Sequence, residues 1–139
     1  MNKKYLIIVA DYYKDIASGL LKSAKDKLPQ ASIIKVLKVP GVFEIPVTIS
    51  KNINKYDAFL ALGCVIKGQT PHFDFISHAS TEAIMKLSVD NKKPIGNGII
   101  TVLNKDQARA RCGSYDVKDH IKNGKGEEAA NAVIAVLSK

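Results

Sequence analysis

At 139 residues the chain has room for one ordinary domain with a real core, and not for two. Its 46% hydrophobic content is that of a soluble globular protein. No apolar run approaches the roughly 20 residues needed to cross a bilayer. The net charge of +8 comes mostly from 19 lysines scattered along the chain. Without aromatic–basic repeats or a basic stripe they read as a solvated surface, and nucleic-acid binding is excluded as a first reading. Two cysteines make no disulfide framework, and neither has metal-ligand spacing to a histidine. Cys64 reads as a small buried thiol in an apolar strand.

The opening, MNKKYLIIVADYY, begins like a signal peptide. Its apolar part stops at Ala10 with Asp11 next, and no small-residue cleavage pattern follows, so the expectation is a first strand and a cytoplasmic protein. That strand covers Tyr5 to Ala10. A helix follows from about Asp15 to Leu28, with Ile16, Leu20, Leu21, Ala24 and Leu28 on one stripe. Ser32 to Val39, rich in Ile and Val, is the second strand. PGVFEIP, residues 40 to 46, is a turn with a proline at each end that leads into a short helix to about Ile53. Ala58 to Ile66 is the third strand and Pro71 to Asn91 the longest helix. Ile95 to Leu103 is the fourth strand, and Lys105 to Cys112 a short helix. Residues 113 to 125 read as the one long loop. The last helix runs from Gly126 to Ser138, with Ala129, Ala130, Val133 and Val136 as its inner face. Strand–helix alternation of this kind argues for one parallel sheet covered on both faces, in a single domain spanning residues 1–139.

Open parallel sheets bind ligands at the carboxyl ends of their strands. The most informative segment, GCVIKGQTPHFD at 63 to 74, lies at such an end. Thr70 is a suitable N-cap and Pro71 suits the first helical position. A helix start there favours a bound anion, and its field disfavours the imidazolium of His72, leaving a base that can take and return a proton. Tyr12, Tyr13, Gly41, Val42, Phe43 and Glu44 reach the same rim. Glu44 reads either as a carboxylate favoured by a helix start or as an acceptor for ligand hydroxyls. Tyr12 is either a surface aromatic or a platform for a flat ring. The two arginines, Arg109 and Arg111, stand two apart on a helix, so only one is expected to face a site. His78 faces away from the helix start and reads as structural, His120 as a solvated loop residue. The glycines beside Lys125 would let the chain turn its ammonium toward an anion.

Taken together, PGVFEIP, GCVIKGQTPHFD, GNGIITVLNKDQARAR and GKGEEAANA resemble the lumazine synthase family of riboflavin biosynthesis, in order and over nearly the whole chain. The resemblance implies a flavodoxin-like three-layer α/β/α sandwich with a four-stranded parallel sheet flanked by helices. It implies a transferase that condenses 5-amino-6-(D-ribitylamino)uracil with 3,4-dihydroxy-2-butanone 4-phosphate, with no cofactor and no metal. Tyr12 then matches the ring-stacking aromatic. Gly41, Val42, Phe43 and Glu44 match the loop that holds the ribityl chain and pyrimidine. Val65 and Ile66 match the ring pocket, and Lys67 adjoins it. Gln69 and Thr70 match the phosphate-binding turn, and His72 the acid/base. Arg111 matches the phosphate-binding arginine and Lys125 the lysine of the glycine-flanked loop.

In the family Arg111, Lys125 and Asn97 would come from the neighbouring subunit, placing active sites between adjacent chains of a homopentamer, with riboflavin synthase as a candidate partner. The chain departs from the family at Tyr13, where many members have asparagine, and at Asn97, where many have a large hydrophobic residue. The stretch from Arg111 to Lys125 is longer than in members that build sixty-subunit shells, so a free pentamer or a pair of pentamers is expected. Three rivals share parts of the pattern. A flavodoxin-like flavin-binding protein without synthase activity would need no His72. A phosphoacceptor signalling domain would need an aspartate where the third strand ends, and Gly63 and Cys64 stand there. A structural interaction module leaves the clustered motifs without a purpose.

Overall fold

The most apolar run of the chain, AFLALGCVI, becomes the strand whose first six residues are all buried. The computed structural model describes residues 2–113 and 124–139. Its strands β1 (Lys4–Ala10), β2 (Ile33–Val39), β3 (Ala58–Ile66) and β4 (Ile95–Val102) form one parallel sheet in the order β2-β1-β3-β4. The central pair, β1 and β3, carry unbroken apolar sequence because helices cover them on both sides. The edge strand β2 alternates exposed and partly buried residues instead. The register places Ile8 beside Leu37 on one side and Ala61 on the other, and Gly63 of β3 beside Ile99 of β4.

Residues alternate between the two faces of each strand, and the core divides accordingly. On one face Ile7, Val9, Leu60, Leu62 and Val102 pack against α1 (Lys14–Lys27), α4 (Lys105–Arg111) and α5 (Lys125–Leu137). On the other, Leu6, Ile8, Phe59 and Ala61 pack against α2 (Ile45–Asn52) and α3 (His72–Asn91). The result is the expected three-layer flavodoxin-like α/β/α arrangement. Apart from α2, which starts at Ile45 inside the turn expected over residues 40 to 46, every strand and helix falls within one residue of the boundaries expected from the sequence.

Three further details differ from that expectation. Helix α3 begins one residue late: Pro71 is its N-cap, His72 is its first residue, and Thr70 makes no capping hydrogen bond. The backbone at Pro71 is already near-helical, so the turn closes through the Pro71 carbonyl, which accepts from the amides of Asp74 and Phe75 at 3.1 and 3.3 Å. Val136, expected on the inner face of α5, is 56% exposed, and the last turn of α5 instead turns Ile134 and Leu137 toward the core. Lys125 is the first residue of α5 and not part of a free loop.

Close packing explains that last difference. A Cβ on Gly126 would stand 2.2 Å from the Leu20 carbonyl oxygen, so the glycine lets α5 lie directly on α1. The Glu127 amide donates to Ser23 Oγ at 3.1 Å and Lys27 pairs with Glu127 at 2.8 Å, fastening the same crossing. Just before it, Gly113 (φ +84°) and Gly124 touch: a Cβ on Gly124 would lie 3.0 Å from the Gly113 Cα. The two ends of the 114–123 segment therefore meet at one point. That segment, with His120, lies outside the described residues.

Candidate functional site

The strand order reverses direction between β1 and β3: β1 leads outward to β2, β3 outward to β4. A crevice forms at such a switch point, because the connections leave the sheet on opposite sides. Here it is a cleft of about 610 Å³, within the range of small-molecule sites.

Each strand contributes a part. After β1 come Tyr12 and Tyr13, with Ala10 at the base. After β2 come Gly41, Val42, Phe43 and Glu44. Val42 is buried and packs below the sheet rim, where Gly63 leaves room for its side chain. Phe43 is 61% exposed and stands over the opening. The 3-10 turn Val42–Glu44 closes with the Glu44 amide donating to the Gly41 carbonyl at 3.1 Å. A Cβ on Gly41 would lie 3.2 Å from Glu44 Oε1, so the space above the glycine belongs to that carboxylate. The end of β3 supplies Cys64, Val65 and Ile66, and α3 supplies His72 and Ile76. No side-chain bond caps the start of α3, which leaves orphan amides there for an anion.

Of the residues singled out in the sequence, Tyr12, Gly41, Val42, Phe43, Glu44, Val65, Ile66 and His72 thus share one cleft. Lys67, Gln69 and Thr70 are exposed just beyond Ile66, and the Lys67 amide extends the sheet by donating to the Val102 carbonyl at 2.9 Å. Asn97, Arg111 and Lys125 do not line this cleft. Asn97 is exposed on edge strand β4, opposite Ala61, four residues before the level of Val65. That is about 13 Å below the rim at strand spacing. Arg111 is exposed at the end of α4. The contact of Gly113 with Gly124 brings the end of α4 and the start of α5 together, and with them the Arg111 and Lys125 positions. Lys125 reaches Glu128 at 3.6 Å.

The two arginines have different surroundings. Arg109 pairs with Asp15 of α1 at 3.4 Å and with Asp106 at 3.7 Å, tying α4 to α1. Arg111 has no ion-pair partner among the described residues. Partial burial would raise the Asp15 carboxyl, but hydrogen bonds from the Ile16 amide and Arg109 outweigh it and hold it below the ordinary value.

Four further residues line the cleft, Ala10, Tyr13, Cys64 and Ile76, of which the sequence alone placed Tyr13 on the rim without giving it a role. Cys64 lies on the cleft wall, half-buried, and burial pushes its thiol up to about 12. Tyr13 lines the cleft too, and burial raises its phenol above the usual value. The place of Cys64 near the end of β3 is the signal that could have found it. His78 is exposed, outside the cleft. Among the described residues, no three His, Cys, Asp or Glu side chains group as a metal site.

A switch-point crevice with an aromatic wall, a carboxylate and an imidazole beside an open helix start makes a candidate small-molecule site on a flavodoxin-like α/β fold. The family model described as 6,7-dimethyl-8-ribityllumazine synthase matches residues 2–139. A protein of that name from Agrobacterium fabrum is 43% identical over 146 residues, covering 99% of this chain and 95% of that one. Another from Bartonella tribocorum is 41% identical over 145 residues, covering 100% and 94%. A third, 6,7-dimethyl-8-ribityllumazine synthase 1 of Rhodopseudomonas palustris, is 42% identical over 142 residues, covering 96% and 83%. The chain belongs to the 6,7-dimethyl-8-ribityllumazine synthase family.

Proposed function

We propose that the protein condenses 5-amino-6-(D-ribitylamino)uracil with 3,4-dihydroxy-2-butanone 4-phosphate, giving 6,7-dimethyl-8-ribityllumazine, phosphate and water in riboflavin biosynthesis. The observation that carries this reading is the family match over nearly the whole chain, joined to a cleft with His72 among its lining residues. An amine must attack a ketone, water must leave, and phosphate must be eliminated before the ring closes. Each step moves a proton, and among the described residues His72 is the imidazole that lines the cleft. Such a shuttle is typically worth about 10²–10⁴ in rate. Tyr12 offers its exposed ring to the pyrimidinedione, and Glu44 with the turn at Gly41 to Phe43 takes the ribityl hydroxyls. Val65 and Ile66 line the ring pocket. Gln69, Thr70 and the orphan amides at the start of α3 face the phosphate, with Lys67 adding positive charge.

In this reading Arg111, Lys125 and Asn97 complete a neighbour's site. What supports it is that none of the three lines its own cleft, while Arg111 stands exposed and without an ion-pair partner among the described residues. The working unit is then a homopentamer of single-domain, cytoplasmic chains, or a pair of pentamers, whose product riboflavin synthase would take. Five chains of 15.1 kDa make about 75 kDa, far below a megadalton shell, and sedimentation separates the two.

The reaction itself is tested by following lumazine fluorescence with both substrates for wild type, His72→Ala and a no-protein control. Acceleration by the wild type that falls at least a hundredfold in the variant is expected. Full turnover in His72→Ala would remove the proton-shuttle role. No acceleration by the wild type would leave a binding protein.

A further inference from the structure

Tyr12, the cleft's stacking aromatic in the reading above, is 70% exposed. A ring that free to rotate loses rotamer entropy whenever a ligand settles on it, and that loss subtracts from affinity unless something fixes the ring beforehand. The structure supplies one such contact. Tyr12 and Tyr13 meet edge to face, with centroids 4.9 Å apart and planes at 86°. Tyr13, unlike Tyr12, is anchored: it is partly buried and packs against the core beneath α1 and α4. Over its ring, 5.7 Å from the centroid, stands the ammonium of Lys105. That distance is within the reach of a cation–π contact.

Lys105 is itself held by a well-formed helix start. Asn104 Oδ1 accepts from the Gln107 amide at 2.9 Å, and the Leu103 amide donates to Gln107 Oε1 at 2.8 Å. This reciprocal arrangement fixes the first turn of α4, on which Lys105 is the first residue. A continuous line of contact therefore runs from α4 through Lys105 and Tyr13 to the ring of Tyr12.

We propose that Tyr13 is a positioning residue, whose anchored aromatic ring holds the exposed ring of Tyr12 in the plane on which the flat pyrimidinedione stacks. The proposal rests on the reading of Tyr12 as the stacking platform. It assigns Tyr13 no proton transfer, so its effect belongs to binding of one substrate and not to turnover.

The test measures the dissociation constant of 5-amino-6-(D-ribitylamino)uracil alone, and steady-state kinetics with both substrates, for wild type, Tyr13→Phe, Tyr13→Leu and Tyr12→Ala. Leucine keeps apolar bulk at the site, so the fold persists while the aromatic edge is lost. Losing an aromatic pair of this geometry corresponds to about a 3- to 10-fold weakening. The expected result is that weakening in Tyr13→Leu, with kcat at saturation and the KM of the butanone phosphate unchanged. Tyr13→Phe, which keeps the ring, binds like wild type. Wild-type binding by Tyr13→Leu alongside weakened Tyr12→Ala overturns the positioning role. A Tyr13→Phe as weak as Tyr13→Leu overturns it as well, because the hydroxyl and not the ring is then what matters. Unchanged binding by Tyr12→Ala removes the stacking platform itself, and the bracing role with it.

Discussion

Replacing Gly126 by alanine tests whether that glycine serves packing or freedom of the chain around Lys125. The added Cβ would sit 2.2 Å from the Leu20 carbonyl oxygen and 2.6 Å from Ser23 Oγ. A comfortable C···O approach is about 3.3 Å, so α5 must retreat by about 1 Å from α1. These two helices share the most extensive helix–helix contact of the fold, and the retreat also stretches the bond from the Glu127 amide to Ser23. Overpacking of this kind costs about 1–3 kcal/mol, and the upper end applies because the obstacle is backbone. Alanine's better helix propensity returns up to about 1 kcal/mol, leaving a net loss of about 2 kcal/mol. With an unfolding entropy of about 2.1 cal/mol/K per residue, a chain of this length should lose about 7 °C in Tm. The assay is thermal unfolding at fixed protein concentration, since assembly makes Tm concentration-dependent. Gly68→Ala is the control: nothing stands within 4 Å of its added Cβ, and its Tm should stay within about 2 °C. A Gly126→Ala protein that melts with wild type would refute the packing account and restore the flexible-loop reading.

Arg111→Ala should raise the KM of the butanone phosphate about 10- to 100-fold, as loss of a charge-assisted phosphate contact predicts, and Arg111→Lys should recover only part of it. Arg109→Ala should leave that KM within twofold and cost at most about 1 kcal/mol of stability, because its pairs with Asp15 and Asp106 are solvent-exposed. With its thiol pushed up to about 12 by burial, Cys64 stays protonated at pH 8, so it should react with iodoacetamide at least about tenfold more slowly than a free thiol. Fast labelling at Cys64, read by mass spectrometry, contradicts that burial. Leu60→Ala, at a fully buried position on β3, should cost about 2–5 kcal/mol in denaturant unfolding.

Strand and helix boundaries were legible because local signals agreed with tertiary ones. The apolar run from Ala58 to Ile66 can only be a strand buried on both faces. At the start of α4 the Asn104 side chain caps the helix, a local signal that agrees with the boundary. The start of α3 was misplaced by one residue because Thr70 has the chemistry of a cap, while the chain at Pro71 already turns as one. Lys125 opens α5 where a loop is expected, because two flanking glycines look like freedom in one dimension. Only the approach of α1 shows what Gly126 is for. Within the cleft, Tyr12, Glu44 and His72 followed from the rule that ligands gather where strands end. Tyr13 and Cys64 stand at those same ends, but their types suggested surface and core. Asn97 came from resemblance alone. Arg111 and Lys125 were already suspects by residue type, but only the resemblance chose Arg111 over Arg109 and assigned all three to a neighbour's site. No periodicity or spacing within one chain can make that assignment.

The meeting of Gly113 and Gly124 bears on chain length. The fold itself holds the two ends together, so the chain between them carries no duty of closure. Doubling such a segment costs only about 0.6 kcal/mol in loop entropy. A change of length between these two glycines is therefore expected to leave the α1–α5 crossing in place.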